Sequence, residues 1–375
     1  MAPRRPAEVF PPGEFLRDEI EERGWSQSDL AQIMGRPTGM IAQLVGGKRM
    51  ITPETARDLA AAFDTTPEFW MNLESAYQLS RLKNDDSDTI AKRAKLFEKA
   101  PVKDMIRRGW IETSDNVDVM EQRICQFFAI PSIDDEPELP RHAARKSTDY
   151  SQPPTPAQRA WLFRAMQLAR AVHAESFSQS NIDEAVNRLR LLAQSAPEIR
   201  HIPRILSEAG IRFVIVQPLP GIRIDGACFW LGPTAPVIAM SLRHDRLDNF
   251  WFVLLHEMAH VRQGIASLDN DLDTAGDDPE RPQNEREADE FSSTTLLSPT
   301  RLANFIARIQ PLYSQKRIEA FAQTTKLHPA IVIGQLQHRH EIAYSAFRKL
   351  LVPVRELITD AALTDGWGAT LPTRL

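Results

Sequence analysis

His256 and His260 stand four residues apart with Glu257 beside the first of them, inside the run FWFVLLHEMAHV at 250–261. On a helix, that spacing puts both imidazoles on one face, where their neutral nitrogens can grip a single cation. Zinc suits imidazole. A glutamate next to it can take a proton from a water held beside the metal. The plainer alternative is two surface histidines on an exposed helix. The flanking residues are almost all apolar, however, so the helix is expected to be buried, and buried imidazoles need partners. A zinc that keeps one position open for water needs a third protein ligand. The carboxylates of NEREADEF at 284–291, at the start of another expected helix, are the nearest supply.

HEMAHV followed by EREADEFSSTTLLSP resembles the ImmA/IrrE family of metallo-endopeptidases. Its pattern is HExxH, then E-x-E-A-[ND]-x-F-A running into LLxP. The likeness covers about residues 195–300, with Ser292 in place of the common Ala and Ser298 in place of the common Met. It implies a zincin-like fold, a Zn2+ cofactor and a protein substrate such as a repressor or antitoxin. Within the motif, Glu287 stands immediately before Ala288-Asp289 and is the expected third ligand beside His256 and His260. Glu285 is the alternative, because Glu285-x-x-x-Asp289 also fits a glutamate–aspartate ligand spacing. Asp289 is expected to orient a ligand histidine through its other ring nitrogen. Glu257 would act as general base and then as proton donor to the leaving amine.

A second constellation lies near the N-terminus. Glu14–Glu22 reads as a helix with Phe15, Leu16 and Ile20 on one face. Ser26 with Asp29 three residues on is a capping box, and Thr52-Pro53 and Thr66-Pro67 are helix starts. Together they predict five short helices with a tight turn between the second and third. The third helix, from Thr38 to Val45, would enter the major groove with Thr38 and Gln43 at base edges. Lys48 and Arg49 would reach phosphate. Residues 11–80, including PEFW-NL, resemble the Cro/repressor-type (XRE) helix-turn-helix of HigA-like antidote proteins. The resemblance implies a DNA-binding homodimer on an operator. Two features cut against it. Gly39 weakens the third helix by roughly 1 kcal/mol. Residues 1–83 hold ten Lys/Arg against twelve Asp/Glu, whereas such domains are usually basic.

Elements that position these residues follow from the rest of the chain. Its 375 residues carry a formal charge of −5, with 42% hydrophobic and 25% charged residues. That composition excludes wholesale disorder. No run approaches the ~18 apolar residues of a membrane span. The N-terminus lacks a signal-peptide apolar core, and only two cysteines, Cys125 and Cys228, occur. A cytoplasmic protein with no membrane association is expected. The fold expected is mainly α with a small α+β zincin domain and an N-terminal five-helix bundle. Residues 1–80 would form the helix-turn-helix domain. Residues 81–158 would be a helical connector and proline-rich acidic linker. Residues 159–300 would be the metallopeptidase domain, its strands at IRFVIVQ (211–217), 226–231 and 237–241. Residues 301–375 would be a C-terminal helical region. Asp269–Glu290, with ten acids and two arginines, reads as a solvated loop over the cleft. The function expected is a DNA-binding regulator that cleaves a protein. The competing class is a non-enzymatic HigA-like repressor whose zincin fold is a sensor or a toxin-binding scaffold.

Overall fold

The computed structural model describes residues 9–81, 85–139, 154–270 and 282–366, with only the backbone of residues 85, 86 and 270. The chain divides into two compact units, 1–91 and 92–375.

The first unit is built by α1 (Pro12–Glu22), α2 (Gln27–Ile33), α3 (Thr38–Val45), α4 (Pro53–Phe63) and α5 (Pro67–Arg81). The punctuation works as its chemistry requires. Ser26 Oγ accepts from the Asp29 amide, and the Asp29 carboxylate takes the Ser26 amide at 2.7 Å. Thr52 caps α4 by accepting from the Thr55 amide at 3.3 Å. Leu16, Leu30, Ile41, Leu59, Phe63 and Trp70 close a core drawn entirely from this unit. The Trp70 ring is fully buried, and its indole N–H is satisfied by Thr65 Oγ1 at 2.9 Å.

In the second unit, α6 (Asp85–Lys99), which begins in the first unit, leads into α7 (Val102–Arg107), α8 (Val117–Phe128), α9 (Pro156–Ala171), α10 (Asn181–Leu192) and α11 (Ile202–Glu208). Then come β1 (Arg212–Val216), β2 (Ile224–Trp230), β3 (Pro236–Met240), α12 (Leu247–Gln263), β4 (Ser267–Asn270) and α13 (Gln283–Leu296). The chain ends through α14 (Pro299–Ile309), α15 (Gln315–Thr325), α16 (Pro329–His338), α17 (Arg355–Thr359) and β5 (Leu363–Asp365). The strands form one sheet in the order β4-β2-β3-β1-β5. β1 runs parallel to β3 and β5, whereas β2 runs antiparallel to β3 and β4.

Both faces of this sheet are covered. Phe213, Ile215, Cys228, Ile238 and Met240 face the layer that contains α12 and α16. Val214, Val216, Ala227, Phe229 and Val237 face a second layer of Leu96, Met105, Ile124, Phe128, Trp161 and Leu168. The helices of the expected connector, α6 to α8, therefore contribute to the core, and lysines on them reach outward to ion pairs. Lys92, for example, is ion-paired to Asp118 and Glu121. Double coverage also explains why all seven residues of β2 are buried, a pattern without polar alternation. Of the linker, residues 140–153 lie outside the described residues. The last strand is fixed by a buried ion pair, Arg164 Nε to Asp365 Oδ2 at 2.5 Å. No helix among the described residues is long and apolar enough to cross a membrane.

Candidate metal centre and helix-turn-helix face

α12 is apolar on nearly every side, so it runs through the interior rather than along the surface. His256, Glu257 and His260 are each 0% exposed. The two imidazoles meet edge to face, with their Nε2 atoms 3.0 Å apart. α13 packs against α12 and delivers Glu285. Its Oε2 lies 3.2 Å from His256 Nε2 and its Oε1 lies 3.4 Å from His260 Nε2. One turn along α13, Asp289 Oδ1 stands 3.0 Å from His256 Nδ1, the place of the orienting carboxylate.

The structure thus brings Glu285, and not the expected Glu287, to the two imidazoles. At 100° per residue, position 287 lies about 200° around the helix from 285. It is exposed, and its carboxylate accepts from Gln283 Nε2 at 2.9 Å and Gln263 Nε2 at 3.3 Å. Glu285 and Asp289 are one turn apart and share the inward face.

Sequence reading missed Asp269 altogether. It belongs to β4, is 6% exposed, and places Oδ2 3.6 Å from His256 Nε2 and 3.8 Å from His260 Nε2. One donor atom from each of His256, His260, Asp269 and Glu285 lies within 4.8 Å of the others. Of the expected acidic loop, Asp269 and Glu285 are therefore internal, and 271–281 fall outside the described residues. Two imidazole nitrogens and two carboxylates converging in a buried space repel one another unless a proton or a cation sits among them. The donor set fits zinc: nitrogen and oxygen ligands on rigid elements, with a carboxylate behind one imidazole.

Glu257 turns from the same helix toward the sheet. Its Oε2 accepts from Ser267 Oγ at 3.1 Å. A Cβ on Gly226 would lie 2.2 Å from Glu257 Oε1, so only glycine at that point of β2 lets the carboxylate fit. Burial, and then the negative charge of Asp269, push the Glu257 carboxyl well above its ordinary range. Burial alone would push His256 down, but Asp269, Asp289 and Glu285 outweigh it and hold its imidazolium well above 6.5. In the metal-free fold, the stability this raised value brings is fully present below the ordinary histidine pKa and is lost as pH rises from there through the raised value. A metal competes for the same nitrogen and needs it deprotonated. Zinc affinity is therefore expected to climb continuously with pH across about pH 5 to 8, as measured by competition with a chromophoric chelator. A flat profile would remove His256 from the ligand set.

In the first unit, α3 buries Ile41, Leu44 and Val45 and exposes Thr38, Gly39, Ala42 and Gln43. The two hydrogen-bonding side chains expected at base edges thus share the outward face. α3 ends in a tight turn: Gly47 takes φ +65°, a left-handed conformation that glycine adopts without cost, and the amides of Lys48 and Arg49 close on the Gln43 carbonyl at 2.8 and 3.2 Å. The turn leaves Lys48 and Arg49 exposed just beyond the helix.

Comparison with known proteins gives one match to each unit. A helix-turn-helix family model matches residues 16–70, and a peptidase-family model described as the IrrE N-terminal-like domain matches residues 207–347. An HTH-type transcriptional regulator of Haemophilus influenzae is 40% identical over 86 residues, which is 23% of this chain and 78% of that protein. The antitoxin HigA-1 of Vibrio cholerae is 38% identical over 82 residues, 22% of this chain and 74% of its own. Among solved structures, a HigA-family addiction-module antidote protein from Coxiella burnetii shares 36% identity, covering 23% of this chain and 94% of that one, with a TM-score of 0.21. The Pseudomonas aeruginosa antitoxin HigA with the higBA promoter shares 33% identity, covering 22% and 91%, also with a TM-score of 0.21. The chain belongs to the helix-turn-helix family of HigA-like regulators through its first unit, and in its second unit it carries an IrrE N-terminal-like domain of metallopeptidase type.

Proposed function

We propose that this protein is a DNA-binding regulator that also hydrolyses a peptide bond in a protein, of the repressor or antitoxin kind, at a zinc site. The observation that carries the reading is the buried convergence of His256, His260 and Glu285 beside Glu257. These three side chains would hold Zn2+, which when bound polarises a carbonyl and makes a neighbouring water more acidic. Asp289 fixes the orientation and tautomer of His256. Glu257 takes the proton of the attacking water and returns it to the departing amine. Its burial suits both halves of that task, because a carboxyl with a raised pKa keeps a transferred proton long enough to pass it on.

On the DNA side, Thr38 and Gln43 would read base edges while Lys48 and Arg49 hold phosphates of an operator, in a homodimer. The match to a helix-turn-helix family model and the 40% identity to an HTH-type transcriptional regulator support DNA as the partner of this unit. A chain that works on an operator has its workplace in the cytoplasm.

The site is tested by metal stoichiometry. The purified chain should hold about one zinc, and His256→Ala or His260→Ala should lose it. Glu285→Ala should lose it as well, whereas Glu287→Ala should retain it. Full zinc retention in Glu285→Ala, read by elemental analysis, would overturn the assignment of the third ligand.

A further inference from the structure

We infer that Asp269 is a fourth protein donor at the metal position and that it holds the site closed until it is displaced. The inference rests on the zinc reading above and concerns how that site is regulated.

Four donors around zinc at bond lengths of about 2.0–2.2 Å stand roughly 3.3–3.6 Å from one another at the corners of a tetrahedron. The separations lie near that frame: around the two imidazoles they run from 3.0 to 3.8 Å, and all four donor atoms lie within 4.8 Å of one another. His256 to His260 is 3.0 Å, and Glu285 to the two imidazoles is 3.2 and 3.4 Å. Asp269 to the same two nitrogens is 3.6 and 3.8 Å. Asp269 is buried, and its Oδ2 takes no hydrogen bond. A buried carboxylate is costly without a positive partner, and a cation held between the two imidazoles would supply one.

The position of Asp269 is set by register. β4 pairs antiparallel with β2 so that Asp269 lies opposite Gly226, the residue against which Glu257 packs. Glu257 Oε1 is likewise buried and takes no hydrogen bond. With Asp269 in the fourth corner, the Glu257 and Asp269 carboxyl groups lie against each other on the side of the site that an attacking water would need. A water can serve Glu257 only once that corner is vacated. Zinc with four protein ligands is the pattern of structural sites, whereas catalytic sites keep one position open. β4 is four residues long, lies at the sheet edge, pairs with β2 and is tied to α12 through the Ser267–Glu257 hydrogen bond. Withdrawing Asp269 therefore disturbs one strand pairing and leaves α12 and α13 in place. The resting protein is a latent hydrolase.

The test uses the full chain loaded with Co2+ in place of zinc, read by its visible spectrum and titrated with azide as a small anion that binds an open position. The wild-type spectrum should not respond to azide. Asp269→Ala should respond, and should bind cobalt more weakly by at least the roughly 10–100-fold that even a hydrogen-bonding partner of a ligand is worth. Asp269→Asn nearly preserves shape and serves if Asp269→Ala does not fold; its cobalt affinity should fall in the same direction. Equal cobalt affinity and equal azide response in wild type and variants would overturn the inference and leave the zinc reading standing. Absence of bound cobalt in the wild type would overturn both.

Discussion

Glu257→Gln should leave the fold and zinc content intact while lowering peptide hydrolysis by about 10²–10⁴-fold, the usual contribution of a general base. The substitution keeps side-chain volume, and its amide oxygen can still accept the Ser267 hydroxyl that Glu257 accepts at 3.1 Å. What disappears is the ability to take a proton. Zinc should stay because Glu257 is not among the four side chains whose donor atoms converge. The measurement compares cells carrying wild type and variant, looking for proteins that persist only with the variant and co-purify with it. If every cleavage event and the regulatory phenotype survive the substitution, hydrolysis at this site is excluded and a non-enzymatic repressor takes its place. Generic peptides decide little, because the proposed substrate is a protein and not a short peptide.

The second large effect is on DNA. Each protomer presents Lys48 and Arg49 beyond α3, so a dimer brings four such cations to the phosphates. At about 0.9 counterions released per contact, binding should weaken by about a hundredfold between 50 and 200 mM salt. Lys48→Ala removes two contacts per dimer and should flatten the salt slope by about 2, with equal loss on all sequences. Gln43→Ala should instead spare non-specific affinity and relax discrimination at one base pair by about 1–3 kcal/mol. Footprinting over the protein's own promoter, followed by titrations at several salt concentrations, measures both. No protected site at low salt would make this unit a protein-docking module.

The helix boundaries of the first unit were readable because they are set locally. Ser26 with Asp29, and Thr52 with Pro53, begin helices through contacts within one turn. His256, Glu257 and His260 were readable for the same reason, since four residues is one turn. The carboxylate beside the two imidazoles needed more. Choosing between Glu285 and Glu287 depends on how α13 is rotated against α12, a tertiary quantity. One local signal pointed the right way: Glu285 and Asp289 are spaced to face inward together. Asp269 carried no such signal. It is one acid in a run of acids, and the β2–β4 register singles it out. The helices from α6 to α8 read as a connector because their charges are conspicuous. The counter-evidence lay elsewhere, in strands such as IRFVIV and GACFWL that lack a polar face and so require cover on both sides.

The placement of β5 bears on the order in which this protein becomes competent. The first unit closes its core from residues 15–73 alone. The second cannot complete its sheet until β5 docks beside β1 and Asp365 reaches Arg164, a partner 201 positions earlier. Between the end of the first unit at residue 91 and Asp365 lie 274 positions. Ribosomes add about 5–20 residues per second, so that interval takes roughly 15–55 s. The nascent chain thus has a time window in which all residues of the first unit's core have emerged and the sheet of the second unit is unfinished.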